Sequence, residues 1–219
     1  MKVVIDKDIQ LLFPNIKMGY VLANVEVKLS DKFVLSAMDK LCANIMKQFT
    51  PELIREQPII KLTKSAYRKL GKDPNRYRPS AESLMRRVAS GKGLYRVNNV
   101  VDILNIVSIE TGFSIGGYDA DSIQGEVHFS KGGANEPYEG IGRGDLNIEN
   151  LPVFRDDWGA FGTPTSDSIR TMVTPATKRF FMIFPAFERV GEELNAALTL
   201  AAQFLKEWGG AKDIASWIE

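Results

Sequence analysis

Asn98-Asn99-Val100-Val101-Asp102-Ile103-Leu104-Asn105-Ile106-Val107-Ser108 lies inside the stretch Tyr77 to Asp119, and its reading decides the fold. Apolar residues surround Asp102 and Asn105 on almost every side, which predicts a buried helix rather than a half-wet one. Helical spacing sets Asn98, Asp102 and Asn105 at i, i+4 and i+7 along one stripe. An unpartnered buried polar group costs roughly 1–3 kcal/mol, and more when charged. Such a stripe therefore either ties down neighbouring backbone or lines a pocket, and both readings stand.

Working outward, Arg78-Pro79-Ser80 precedes a helix with Ser80 as N-cap, Glu82 in its first turn and Leu84, Met85 and Val88 on its apolar face, closed by Gly91 and Gly93. Lys61 to Leu70 reads as a basic amphipathic helix ending at Gly71. Upstream, Lys17 to Lys28 reads as a strand, Ser30 as the N-cap of a helix carrying Phe33, Met38, Ile45 and Phe49, and Thr50-Pro51-Glu52 as a second start. Beyond Gly112 glycine becomes frequent. Ile115–Tyr118, Glu126–Ser130, Leu151–Arg155 and Arg179–Phe184 read as strands of an antiparallel or mixed sheet, and Glu188 to Trp208 as a closing helix. The expected class is α+β, a mixed or antiparallel sheet packed with helices.

The chain of 219 residues is 44% hydrophobic and 25% charged, which suits a globular protein with a core that needs no staple. The single Cys42 sits among apolar residues and reads as core; with no partner cysteine, a reducing, cytoplasmic setting is expected. No apolar window is long enough for a membrane span and no leader is recognisable at the start. A net charge of +1 argues against tight, charge-driven nucleic-acid binding. The charge is uneven, however: from Lys61 to Arg96 there are eleven basic residues, Arg78, Arg86 and Arg87 among them, against Asp73 and Glu82. That belt either holds a phosphate backbone or forms solvated helix faces.

The usual catalytic constellations are missing from the sequence. A Ser-His-Asp triad must use the one histidine, His128, which sits in a strand-like context, and no serine occupies a nucleophile elbow. A Cys/His zinc site is excluded by count, so no metal or cofactor is expected. Gly140-Ile141-Gly142-Arg143-Gly144 matches neither a phosphate loop nor a dinucleotide fingerprint and reads as a turn; Asp156-Asp157 reads likewise. Any hydrolytic chemistry then rests on positioning a water and stabilising charge with fixed dipoles.

Tyr77-Arg78-Pro79-Ser80-Ala81-Glu82-Ser83-Leu84-Met85-Arg86-Arg87-Val88, then Gly91-Lys92-Gly93-Leu94, then Asn98 through Ser108, then Gly116-Gly117-Tyr118-Asp119, resembles the B3/B4 domain, the editing domain of the bacterial phenylalanyl-tRNA synthetase beta chain. The closer resemblance is to free-standing proteins made of that domain alone, whose Arg-Thr pair, Val-Thr and later Thr are met by Arg170-Thr171, Val173-Thr174 and Thr177. The resemblance covers about 59–184. It implies one domain over 1–219, with an N-terminal lobe (1–58), a motif-bearing core (59–184) and a C-terminal helix (185–219). In the synthetase the domain hydrolyses tyrosine wrongly attached to phenylalanine tRNA. The implied function here is trans-acting hydrolysis of mischarged aminoacyl-tRNA without charging, with the aminoacylated 3′ end of tRNA as partner. A non-catalytic module binding RNA or an amino acid is the alternative.

The positions matched by the resemblance are Val101, Asp102, Asn105, Tyr118 and Asp119. On the deacylase reading, catalysis is expected at Asn105, Arg170, Gly116 and Gly117, through backbone N–H groups or the guanidinium facing an oxyanion. Substrate binding falls to Asp102, Tyr118, Asp119, Thr171, Thr174 and Thr177, and RNA binding to Arg78, Arg86 and Arg87. Competing structural roles stay open: Asp119 as a turn cap, Arg170 as an ion-pair partner. Two departures bear on specificity. Many synthetases have Met-His-Ala-Phe-Asp where this chain has Ile115-Gly116-Gly117-Tyr118-Asp119, so Gly116 replaces an editing-site histidine. Gly162-Thr163-Pro164-Thr165-Ser166-Asp167 occupies roughly the place of the loop that recognises the tyrosine hydroxyl.

Overall fold

The computed structural model describes residues 3–188 and 190–219, and its elements follow in the order β1 (Val3–Ile5), α1 (Lys7–Leu12), β2 (Lys17–Asn24), α2 (Lys32–Gln48), α3 (Pro51–Arg55), α4 (Pro58–Leu70), α5 (Ser80–Ala89), α6 (Asn99–Thr111), β3 (Gly116–Asp119), β4 (Val127–Lys131), β5 (Glu139–Gly140), β6 (Gly144–Asp145), β7 (Pro152–Asp156), β8 (Gly159–Gly162), β9 (Arg179–Ala186), α7 (Gly191–Glu207) and β10 (Lys212–Ile218). One antiparallel sheet runs β10-β2-β9-β3. A second runs β1-β4-β7-β8, with β1 parallel to β4 and the other pairs antiparallel. The α+β expectation holds.

β9 organises the layers. From Phe180 to Ala186 it carries no polar side chain, the pattern of a strand covered on both faces. Phe180, Met182 and Phe184 join the core built with the helices, while Phe181 and Ile183 join the core between the two sheets. That inter-sheet core is aromatic: Tyr118, Phe129, Phe154 and Phe161 meet there, with the Tyr118 and Phe161 rings edge to face at 5.0 Å. Each such ring contributes roughly 1.5–3 kcal/mol by burial. Helices, one sheet and the second sheet thus form three stacked layers.

α6 is buried on nearly all sides, as its composition predicts. Asn98 lies just outside it as N-cap, accepting from Val101 N at 2.9 Å, and Gly112 closes it at φ 78°. Several boundaries differ from the sequence reading. α2 is capped by Asp31, which accepts from Phe33 and Val34 N, because the Ser30 hydroxyl is drawn away to Asp102 Oδ2 at 2.6 Å. Ser80 is the first residue of α5, after Pro79, with its N–H donated to Pro164 O. α4 begins at Pro58 rather than Lys61, α7 begins at Gly191, and β2 stops at Asn24. The short β1, α1 and β8 and the edge strand β10 add to the expected elements. Cys42 is buried in the helical core, and His128 lies on β4 between Asp6 (3.0 Å) and Glu126 (3.2 Å). Among the described residues no helix is long and apolar enough to cross a membrane.

Candidate functional site

A cleft of about 730 Å³ opens between α5, α6, the start of β3, the β5–β6 turn and the loop that follows β8. Its position follows from packing. A Cβ on residue 117 would strike Leu104 Cδ1 and lie 3.2 Å from the Phe180 ring, so α6 can press onto β3 only across a glycine. That close approach brings Asn105, the next residue of α6 after Leu104, and Gly117 to the lining of the same cleft.

Asn105 is 9% exposed and makes no side-chain hydrogen bond among the described residues, although both carboxylate oxygens of Asp102 on the same helix are engaged. Asp102 accepts from the Ser30 hydroxyl and from Val97 N at 2.8 Å; burial raises its pKa, against those hydrogen bonds. The stripe therefore divides between the two readings. Asn98 and Asp102 tie down neighbouring backbone, and Asn105 lines the cleft.

Opposite Asn105 lies Asp167. The Thr163 hydroxyl oxygen accepts from Thr165 N (3.1 Å) and Ser166 N (3.0 Å), a side-chain-closed turn that delivers Asp167 to the cleft wall. Gly117 N donates to Asp167 Oδ2 at 3.1 Å, and among the described residues Oδ1 is buried without a well-aligned hydrogen bond, with the Tyr118 hydroxyl as the neighbouring polar group. Burial pushes the carboxyl up to about 7, held from rising further by the Gly117 N–H and the neighbouring Tyr118 hydroxyl. The Tyr118 phenol is itself raised well above its ordinary value by burial and the adjacent Asp167 charge. Its hydroxyl fits in a slot between two glycines: a Cβ at either Gly116 or Gly162 would land on it.

The mouth of the cleft is basic and aromatic. Arg87 on α5 lies 3.9 Å over the Tyr95 ring, Arg143 sits on the β5–β6 turn, and Tyr95 is 54% exposed. Among the described residues neither Arg87 nor Arg143 has a carboxylate within ion-pair distance. Part of the rest of the sequence's basic belt is held by partners inside the chain. Lys64 and Arg86 each lie 2.8 Å from Glu82 and Arg78 3.6 Å from it, while Arg96 pairs with Asp39 and Lys72 donates to the Asn147 and Glu149 carbonyls.

Of the residues singled out in the sequence, the cleft brings together Asn105, Gly117 and Arg87. Arg170 is instead clamped in a two-pronged pair with Asp156, at 2.8 and 3.1 Å, and donates to Gly159 O. Burial works to raise Asp156, but this pair and the Gln124 and Trp158 N–H groups outweigh it and leave the carboxyl lowered. Asp119 caps the turn at Asp121 and accepts from the Thr177 hydroxyl, which in turn accepts from Thr174 N. Thr171 is fully buried. Gly116 is held in the β3–β9 ladder opposite Ile183, and Tyr118 lies in the inter-sheet core. Arg78 and Arg86 face Glu82. Sequence reasoning passed over Asp167, Tyr95 and Arg143. The available signals were a carboxylate closing a Thr/Ser-rich turn and a tyrosine beside an arginine within the basic belt.

A family model described as the B3/4 domain matches residues 62–207. Among solved structures, the chain is similar to an N-terminal fragment of the phenylalanyl-tRNA synthetase beta-subunit from Pyrococcus horikoshii, with a TM-score of 0.51 and 16% identity. The match covers 97% of this chain and 50% of that one, so the chain spans half the length of that fragment. No curated protein matches the sequence.

Proposed function

We propose that this chain, which belongs to the B3/4 domain family, is a trans-acting aminoacyl-tRNA deacylase that hydrolyses the ester of a mischarged tRNA and does not charge tRNA. The observation that carries the proposal is one cleft lined both by the Asn105 carboxamide, which makes no side-chain hydrogen bond among the described residues, and by Asp167, a buried carboxyl with no cation beside it, beneath a mouth with two arginines free of carboxylates among the described residues. Asn105 donates to the ester carbonyl oxygen as it becomes a tetrahedral oxyanion. Asp167, with a folded-state pKa of about 7, takes the proton of the attacking water and returns it to the departing ribose oxygen. The Gly117 N–H, already donated to Asp167, holds that carboxylate in place rather than facing an oxyanion.

Binding without hydrolysis is the second reading. It is favoured by the engagement of both Gly117 N–H and Arg170 with carboxylates of the chain itself. Deacylation of a panel of charged tRNAs, beginning with tyrosine and meta-tyrosine on phenylalanine tRNA, separates the two. Hydrolysis of one species that falls about a hundredfold in both Asn105→Ala and Asp167→Asn, the size expected for lost oxyanion and acid–base groups, supports the deacylase. No hydrolysis across the panel at high enzyme concentration sinks it in favour of the binding module.

A further inference from the structure

We infer that the Arg87–Tyr95 pair and Arg143 form a clamp for the single-stranded 3′-terminal nucleotides of an RNA, and that recognition is concentrated there, with little grip on the folded body of the tRNA. This rests on the deacylase reading for the identity of the RNA.

Tyr95 is an exposed aromatic at the cleft mouth, and Arg87 lies over its ring, 3.9 Å from the centre, backing one face. An aromatic backed by a guanidinium is a sequence-tolerant platform for one base. Arg87 Nε is buried with no hydrogen-bond partner, although Arg86 beside it is fully paired with Glu82. Across the mouth, Arg143 stands between Gly142 and Gly144, both at φ 66°, on a hairpin tip bordered by the exposed Ile141. The two unpaired guanidiniums complement a phosphodiester passing between them, and the stacked base then precedes an ester lodged below at Asn105. The remaining belt argues for concentration at the end. Lys61, Lys69 and Arg96 each pair with a carboxylate of this chain and Lys64, Arg78 and Arg86 share Glu82, which leaves Arg68, Arg76 and Lys92 of the belt without a carboxylate among the described residues and the belt's grip on a folded RNA reduced rather than abolished.

Two measurements test this together. The first is fluorescence anisotropy of a short, 5′-labelled, uncharged single-stranded RNA with the intact chain. The second compares deacylation of a full-length mischarged tRNA with that of a minihelix carrying only its acceptor stem and 3′ end. Tyr95→Ala and Arg87→Ala are each expected to weaken RNA binding about tenfold. Tyr95→Phe stays near the wild type, Arg87→Lys recovers only part, and Lys47→Ala on α2 serves as the charge-matched control. The log–log salt slope is about −0.7, the value for roughly one phosphate on a single strand. The minihelix is hydrolysed within about fivefold of the full tRNA, the change in Tyr95→Ala falling mainly on KM.

Unchanged binding in both alanine variants, or a minihelix penalty beyond fivefold, overturns the clamp while leaving the deacylase standing. Tyr95- and Arg87-dependent RNA binding with no hydrolysis of any charged tRNA keeps the clamp and removes the deacylase. Thermal unfolding of each variant confirms that a loss is local, since Tyr95 stands largely in solvent.

Discussion

Two buried carboxylates in one fold are treated in opposite ways. Glu82 on α5 is completely buried and lies among three cations, Lys64, Arg86 and Arg78. Asp167 at the cleft has one backbone N–H and no cation among its partners. A buried charge surrounded by opposite charges is an anchor; one buried without a counter-ion persists at a cost in stability. The difference separates a residue that holds the scaffold from one that works on a ligand, although both are acids beside basic residues in sequence.

The largest effect belongs to the anchor. Glu82→Ala strands Lys64, itself buried, without its counter-ion, and is expected to cost about 3–5 kcal/mol in urea or thermal unfolding. A loss under 1 kcal/mol would break the comparison, because Glu82 would then be no better placed than an exposed acid.

Asp167→Asn is expected to act with the opposite sign. The carboxyl has a folded pKa of about 7 against an ordinary 3.8. Below pH 4 both folded and unfolded states are protonated and burial costs nothing through ionisation. Between pH 4 and 7 the unfolded chain releases its proton first, so this group makes stability fall as pH rises. Asparagine stays neutral and still accepts from Gly117 N. The variant should match the wild type near pH 4 and exceed it above pH 7, by an amount bounded at roughly 4 kcal/mol for about three pKa units. Melting curves across that range decide it, and deacylation should fall in the same protein.

Gly116→Ala comes third. Its methyl group would land on the Tyr118 hydroxyl, fixed in its slot against Gly162, and overpacking of that kind costs about 1–3 kcal/mol. Tyr118 Cζ and Cε2 would also lie 2.5 and 2.8 Å from the methyl carbon, so relief requires removal of the ring: in a Tyr118→Leu background the added methyl should cost much less. Simple additivity of the two changes in unfolding free energy would sink the slot.

How much of this was legible in the sequence follows from which physical signals are local. β9 declares itself by an unbroken apolar run, α6 by apolar residues on all sides, and α4 by an apolar stripe ended at Gly71, φ 92°. β1, α1 and β8 are too short to build a period, and β10, with Lys212 and Asp213 at its start, reads as surface chain until β2 pairs with it. At the site, Asn105, Gly117 and Arg87 came through because a helix, a strand and a helix present them. Asp167, Tyr95 and Arg143 sit on loops, where no periodicity says what faces inward. The role of Arg170 depended on Asp156, fourteen residues away at the end of β7, a pairing that only the packed sheet creates.

The smallest effect sharpens the same contrast within a single stripe. Asn98 and Asn105 are the same residue type, seven positions apart, both nearly buried. Asn98 spends its side-chain oxygen on Val101 N at the start of α6, whereas the Asn105 carboxamide is unspent in the cleft. Asn98→Ala should therefore cost about 1 kcal/mol of stability, the usual worth of an N-cap, with deacylation unaffected at temperatures well below the melting transition. Asn105→Ala should shift stability by less than about 0.5 kcal/mol and remove most of the activity, because no partner inside the protein is left unsatisfied. If the two variants exchange these signatures, with the cap silent in unfolding and Asn105 carrying the stability, the division of the stripe into anchor and working group is wrong, and the cleft loses its central donor.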